Sequence, residues 1–210
     1  MARYREAVCR LCRRETMKLY LKGERCFTEK CAIEKRNVPP GSHGRDRRRR
    51  PGAYAEQLRA KQRVRRVYGV LERQFRRAFQ KAERLPGKTG ENLLVLLERR
   101  LDTVVRRAGF AGSQAQARQL VMHGHVRVNA RKVSIPSFLV SVNDEITLKD
   151  KMKENDMVLQ ARDLGGRQMV PSWLEVDPEA GRAKLVALPQ REQLTTPPLQ
   201  EQLIVELYSK

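Results

Sequence analysis

Arg99-Arg100-Leu101-Asp102-Thr103-Val104-Val105-Arg106-Arg107-Ala108-Gly109-Phe110 is the stretch on which the fold turns. Leu101, Val104, Val105 and Ala108 recur at threes and fours, the period of a helix with one buried face. Gly109 is placed to close that helix in the left-handed conformation. Upstream, Leu93, Leu94, Leu96 and Leu97 carry the apolar run back to Thr89, a candidate cap, so a helix is predicted over 89–109. Downstream, Ser113 and Gln116 make a Ser-x-x-Gln capping box that opens a short helix through Leu120 and Val121, stopped at Gly124. Two helices joined by a short glycine-containing turn form a helix-turn-helix-like pair. Residues 126–133 then alternate apolar and polar and turn over at Asn129-Ala130. A two-residue hairpin loop favours Asn-Gly, and Ala at positive φ costs about 1 kcal/mol. Leu139-Val140 and Ile146-Thr147-Leu148 supply further strand. Helices packed with a small sheet predict an α+β fold.

Working towards the N-terminus, Tyr54, Leu58, Val64, Val67, Tyr68, Leu71, Phe75, Phe79 and Ala82 follow a helical period, with one gap around Lys61. Gly69 separates two helices, and Pro86-Gly87 ends the unit. Arginines occupy the intervening positions, as a solvated face or a phosphate-binding one. Towards the C-terminus, Trp173-Leu174-Glu175-Val176 and Lys184-Leu185-Val186 flank Asp177-Pro178-Glu179-Ala180-Gly181, a hairpin signal. The last apolar segment, 203–208, fits a strand or a helix equally well.

Charge narrows the function. The 210 residues carry 44 Lys and Arg against 24 Asp and Glu, a formal +20. Residues 1–100 hold 29 of those cations and 11 of the acids, net +18, whereas 101–150 stand at +3 and 151–210 at −1. Such a concentration repels itself unless a polyanion neutralises it, and the predominance of Arg suits bidentate phosphate binding. No run of 18 apolar residues is present and the N-terminus is charged, so a soluble, intracellular, nucleic-acid-binding protein without a membrane partner is expected. Arg45 and the run Arg47-Arg48-Arg49-Arg50 stand between two Pro/Gly clusters, as an arm laid along phosphates would. Aromatic residues are only 5% of the chain, so base stacking is not its main device and recognition of nucleic-acid shape is expected.

All four cysteines lie in the first 31 residues as Cys9-x2-Cys12-x13-Cys26-x4-Cys31. Two tight pairs joined by a loop can converge on one ion, and four thiolates close a tetrahedral structural site. Zinc is the expected occupant and an iron–sulfur cluster the alternative; an intracellular chain argues against disulfides. Arg10, Arg13, Arg14, Lys18, Lys22 and Arg25 are expected to favour the thiolate forms. His123-Gly124-His125 lacks a third ligand and reads as a helix end or a phosphate contact. Asp102 has no partner base nearby and reads as a helix-surface carboxylate; phosphate-cradling loops and nucleophile elbows are absent. The chain is therefore not expected to be an enzyme.

The stretch 99–110, with Ser113, Ala117-Arg118-Gln119-Leu120-Val121, His123-Gly124-His125-Val126 and Asn129, resembles the S-four RNA-binding domain. The cysteine pattern, Pro39-Pro40-Gly41-Ser42-His43-Gly44, the run 67–76 and the ending 201–210 resemble the bacterial small-subunit ribosomal protein S-four family, in order along nearly the whole chain. Departures are Gln114 where Arg is common and Ala130 where Gly is common. The resemblance implies a structural constituent of the ribosome in the cytoplasm. Such a protein binds the 5′ domain of small-subunit rRNA directly, nucleates its assembly and contributes to decoding accuracy. The implied partners are that rRNA, the neighbouring ribosomal protein S-five, mRNA near the channel through which it enters, and in some members the protein's own mRNA. The alternatives from other classes are a zinc-dependent nucleic-acid-binding regulator and an RNA-modification protein using the same module.

The expected organisation is a four-cysteine metal knuckle and arm at 1–45, a basic helical domain at 46–98 and an αβ RNA-binding module with a β-rich extension at 99–187. The segment from about 188 to 210 is open to packing back on the helical domain. Candidate RNA contacts in the arm are Arg3, Arg5, Arg10, Arg13, Arg14, His43, Arg45, Arg47, Arg48, Arg49 and Arg50. In the helical domain they are Arg59, Lys61, Arg63, Arg66, Arg73 and Arg76. In the module they are Arg106, Arg107, Ser113, Arg118, His123, His125, Arg131 and Lys132.

Overall fold

In the computed structural model, residues 4, 6–41, 52–165, 170–194 and 197–209 are described. The contacts divide the chain into two compact units, 1–93 with 195–210, and 94–194. No described helix is long and apolar enough to cross a membrane.

The first unit begins with α1 (Cys9–Glu15), a 3-10 turn at Gly23–Phe27 and the short α2 (Ala32–Lys35). The long helices α3 (Ala53–Val67) and α4 (Glu72–Glu83) follow, parted at Gly69 with φ 59°. In α4, Phe75, Phe79 and Ala82 are buried while Arg73, Arg76, Arg77, Lys81 and Arg84 are exposed, as the three-four period predicts. The stripe differs from expectation in α3. Tyr54 is 63% exposed, and Gln57, Ala60 and Lys61 are buried in its place. The gap at Lys61 is thus part of the buried face: its ammonium reaches Glu72 at 2.8 Å and its stem lies in apolar surroundings. The ambiguous C-terminal segment forms α10 (Glu201–Tyr208), which packs on α3. Gln57 donates to Glu206 at 3.1 Å, the Tyr208 hydroxyl donates to Glu72 at 2.9 Å, and the Tyr208 ring lies 4.6 Å from that of Phe79.

The second unit takes in the end of α5 (Thr89–Glu98), then α6 (Leu101–Arg107) and α7 (Gln114–Met122). The predicted helix over 89–109 is therefore two helices. Arg100 is extended, with φ −65° and ψ 136°, and bridges to Leu139. The amides of Leu101 and Asp102 find the carbonyls of Phe138 and Pro136 at 2.8 and 3.2 Å, and the Val140 amide finds the Arg99 carbonyl at 2.8 Å. The segment around Leu139 thus supplies the partners that the first amides of α6 lack within a helix. Ser113 caps α7, accepting from the Gln116 amide at 3.3 Å, and Gln116 reaches back to the Gly112 amide rather than to Ser113.

Among the described residues, five strands form an antiparallel sheet in the order β2-β1-β3-β5-β4: β1 (Val126–Val128), β2 (Arg131–Lys132), β3 (Glu145–Leu148), β4 (Leu174–Asp177) and β5 (Arg182–Leu185). The β1–β2 turn has Asn129 at φ 48° and Ala130 at φ 64°, as a tight hairpin requires. Two more helices, α8 (Asp150–Lys153) and α9 (Asp156–Gly165), link β3 to β4. Leu101, Val104, Val105, Leu120, Val121, Val126, Ile146, Trp173 and Leu185 share one core. The α+β class is as predicted, with a helical N-terminal region and a five-stranded sheet.

Candidate nucleic-acid interface

The cationic side chains divide into those held by buried carboxylates and those left on the surface. In the first unit, Glu15 ends α1 with its side chain fully buried. Arg59 Nη1 donates to it at 3.1 Å, Arg63 Nε at 3.4 Å, and Arg66 Nη1 completes the cluster from one face of α3. Burial lowers the Arg66 pKa and the Glu15 charge offsets this, while Arg59, Arg65 and Arg14 lower it further. A second cluster forms on Glu72, where Arg65 adds a 2.6 Å contact to those from Lys61 and Tyr208. Burial opposes the ionised form of Glu72, but the hydrogen bonds from Lys61 and Tyr208 and the charges of Lys61 and Arg65 outweigh it, and its pKa is lowered. Arg13 is turned inward, donating to the Val38 carbonyl at 2.7 Å. Arg10 pairs with Glu6 at 3.3 Å on the surface, and Arg14, Arg73 and Arg76 are exposed.

The second unit repeats the device differently. Arg107 grips the buried Glu98 through Nε and Nη2 at 3.0 and 2.5 Å. Arg100 grips Asp102 through the same two nitrogens at 3.0 and 2.9 Å, and Arg118 approaches Asp102 at 3.5 Å. Asp102 is 1% exposed, so the expectation of a helix-surface carboxylate is overturned. Residues 101–105 are all buried, and α6 has no solvent face there on which to place it. Arg106 is half-buried, and Ser113 is engaged as a cap. Gln114 is also buried, donating to the Thr103 hydroxyl at 3.3 Å.

At one end of the sheet His123, Arg131 and Lys132 are exposed, with His125 half-buried beside them. Gly124, at φ 69°, carries the stem of Lys132 so closely that a Cβ there would fall 2.1 Å from Lys132 Cε. Burial, with the charges of Lys149, His123 and Lys132, lowers the His125 pKa below its ordinary 6.5. Asn129 binds the Asp144 carboxylate at 2.8 Å and accepts from the Glu145 amide at 2.9 Å, locking the loop that carries Arg131 and Lys132. Arg3, Arg5, His43, Arg45, Arg47, Arg48, Arg49 and Arg50 lie outside the described residues.

Cys9, Cys12, Cys26 and Cys31 are not joined by disulfides and line one cavity of about 10 Å³. The Lys22 amide donates to Cys26 Sγ at 3.3 Å. Donor type and number suit a tetrathiolate metal, yet among the described residues no three of His, Cys, Asp or Glu are already arranged as a ligand set. The expectation that nearby cations favour the thiolates fails at Cys12, which burial and then the other three cysteines push up to about 11, against the Leu19 backbone hydrogen bond. Three of those six cations are engaged elsewhere: Arg13 on the carbonyls of Val38 and Pro39, Lys18 on Glu34 at 2.6 Å, and Arg10 on Glu6.

Glu15, Glu98, Asp102 and Asp144 are the organising residues that sequence reasoning missed. The one available signal was position, since Asp102 interrupts a run that is otherwise apolar.

Residues 3–98 match the family model of the ribosomal protein S4/S9 N-terminal domain, and residues 99–146 match the S4 domain. The chain is 60% identical to small ribosomal subunit protein uS4 of Solibacter usitatus over 210 residues, covering the whole of both chains. It is 56% identical to the uS4 of Syntrophotalea carbinolica, and 56% identical to uS4A of Symbiobacterium thermophilum, again over the full length of both chains.

Proposed function

The chain belongs to the family of small ribosomal subunit protein uS4, and from that premise we propose that it is a non-enzymatic structural constituent of the small ribosomal subunit that binds rRNA. The observation that carries the proposal is similarity along all 210 residues. Its site of action is then the cytoplasmic ribosome. The bound RNA is the 5′ domain of the small-subunit rRNA, and early binding there nucleates assembly. In the finished particle the chain neighbours protein S-five and the incoming mRNA, where it contributes to decoding accuracy. Supporting the RNA assignment are the exposed Arg14, Arg73, Arg76, Arg131 and Lys132 and the arginines gathered on Glu15. Phosphate contacts of this kind position the protein, and specificity comes from the arrangement of several basic faces on a folded RNA.

Cys9, Cys12, Cys26 and Cys31 would hold a structural zinc ion as four thiolates. The metal would clip the N-terminal segment and supply no reactive position. Elemental analysis of the purified chain tests this: about one zinc per chain is expected for a four-thiolate site, and absence of both zinc and iron refutes a metal clip.

Binding of the chain to a folded 5′-domain rRNA fragment, against duplex DNA of equal length, tests the main proposal. Preference for the fragment, with affinity falling steeply as salt rises, is expected because several phosphate contacts release counterions. Co-sedimentation with small ribosomal particles completes the test, and a flat salt response overturns it.

A further inference from the structure

The buried carboxylates hold their arginines in two distinct ways. Asp102 and Glu98 each consume the Nε–Nη2 edge of an arginine, the edge that matches an oxyanion through two parallel hydrogen bonds. The two-pronged edges of Arg100 and Arg107 are thereby occupied by carboxylates of the second unit. Glu15 instead takes Arg59 and Arg66 by Nη1. Among the described residues the Nε and Nη2 atoms of these two side chains have no hydrogen-bond acceptor, and they are not among the buried unpaired atoms. Arg59 and Arg63 are each 29% exposed and Arg66 is 20% exposed along the side chain, whereas Glu15 is fully covered. The carboxylate therefore sits beneath the guanidiniums and leaves the two-pronged edges of Arg59 and Arg66 to solvent.

We infer that Glu15 is a positioning residue: it fixes Arg59, Arg63 and Arg66 as a preformed site for the phosphates of a folded RNA, without touching the RNA itself. The inference deepens the proposed function and rests on it. Three guanidiniums side by side repel one another, and a mobile arginine loses side-chain entropy when it binds. One buried negative charge answers both costs before RNA arrives. Lys61 and Arg65 do not belong to the site, because Glu72 occupies them.

The sign of the Glu15→Gln effect decides between this role and simple charge neutralisation. If the arginines are only counter-ions of Glu15, its removal frees them and adds a net positive charge, and every polyanion binds more tightly. If Glu15 positions them, the full-length Glu15→Gln chain binds a folded 5′-domain rRNA fragment about tenfold more weakly, while heparin binding is unchanged or tighter. Arg59→Gln lowers the slope of log affinity against log salt by about one for the same fragment. Equal or tighter fragment binding by Glu15→Gln overturns the inference. A second measurement needs neither a variant nor RNA: in the free wild-type chain the Nε–H groups of Arg59 and Arg66 are expected to be nearly as rigid as backbone. Order parameters below about 0.6 overturn the inference. A wild-type chain that ignores the rRNA fragment overturns the proposed function instead, with the arginine rigidity still deciding the role of Glu15.

Discussion

Ala130 holds φ 64° at the tip of the β1–β2 hairpin, where a Cβ crowds the following carbonyl. Ala130→Gly removes that strain at some cost in chain entropy, and a gain of about 0.5 to 1 kcal/mol is expected in urea unfolding. The neighbouring His125 gives a pH signature. Its folded pKa lies below 6.5, through partial burial and the charges of Lys149, His123 and Lys132. The folded state then binds fewer protons than the unfolded chain, so stability is full above about pH 6.5 and declines as pH falls through the lowered value. NMR titration should place His125 below a free histidine, and His125→Gln should flatten the acid side of the stability curve. The hairpin was legible because Asn129-Ala130 follows a period of two. The lock on it was not: Asp144 stands 15 residues from Asn129, and only the fold brings the two together. The same holds for Glu15, an isolated acid in a basic segment that reads as solvated until α3 arrives with Arg59, Arg63 and Arg66.

Among the elements, the break between α5 and α6 shows where periodicity ceases to inform. The helical period runs from Glu91 to Ala108 without a glycine or proline, yet Arg100 is extended because the segment around Leu139 pairs with it. Local pattern does not report a partner 39 residues away. The break lets Arg100 fold back on Asp102, which also meets Arg118 of α7. Asp102→Asn leaves two guanidiniums without their counter-charge and should cost about 3 kcal/mol, read as a lower urea midpoint. For α10 the sequence left strand and helix equal, and burial of Ile204, packing on α3 and the Tyr208 ring set against Phe75 and Phe79 of α4 select the helix. Tyr208→Phe keeps the ring and loses one hydrogen bond to a carboxylate, about 1 kcal/mol. Hydrogen exchange should quicken along 201–208 more than in α6 or the sheet.

At the scale of the whole molecule, charge and fold are unevenly shared. The N-terminal hundred residues carry net +18, and the module that resembles a general RNA binder spends Arg100 and Arg107 on its own carboxylates. Replacing Arg47, Arg48 and Arg49 together by Ala should therefore weaken rRNA binding and reduce its salt dependence more than Arg118→Ala. Equal losses in a filter-binding series would contradict the uneven division. The sheet carries a different consequence. Its two margins are β2, only two residues long and made of Arg131 and Lys132, and β4, whose Glu175 and Asp177 alternate with Leu174 and Val176. An open margin invites a strand from another copy, and short, charged margins discourage it. Two chains meeting by the same margin would set cation against cation or acid against acid. The charges that border the sheet thus oppose edge-to-edge pairing between copies of the chain.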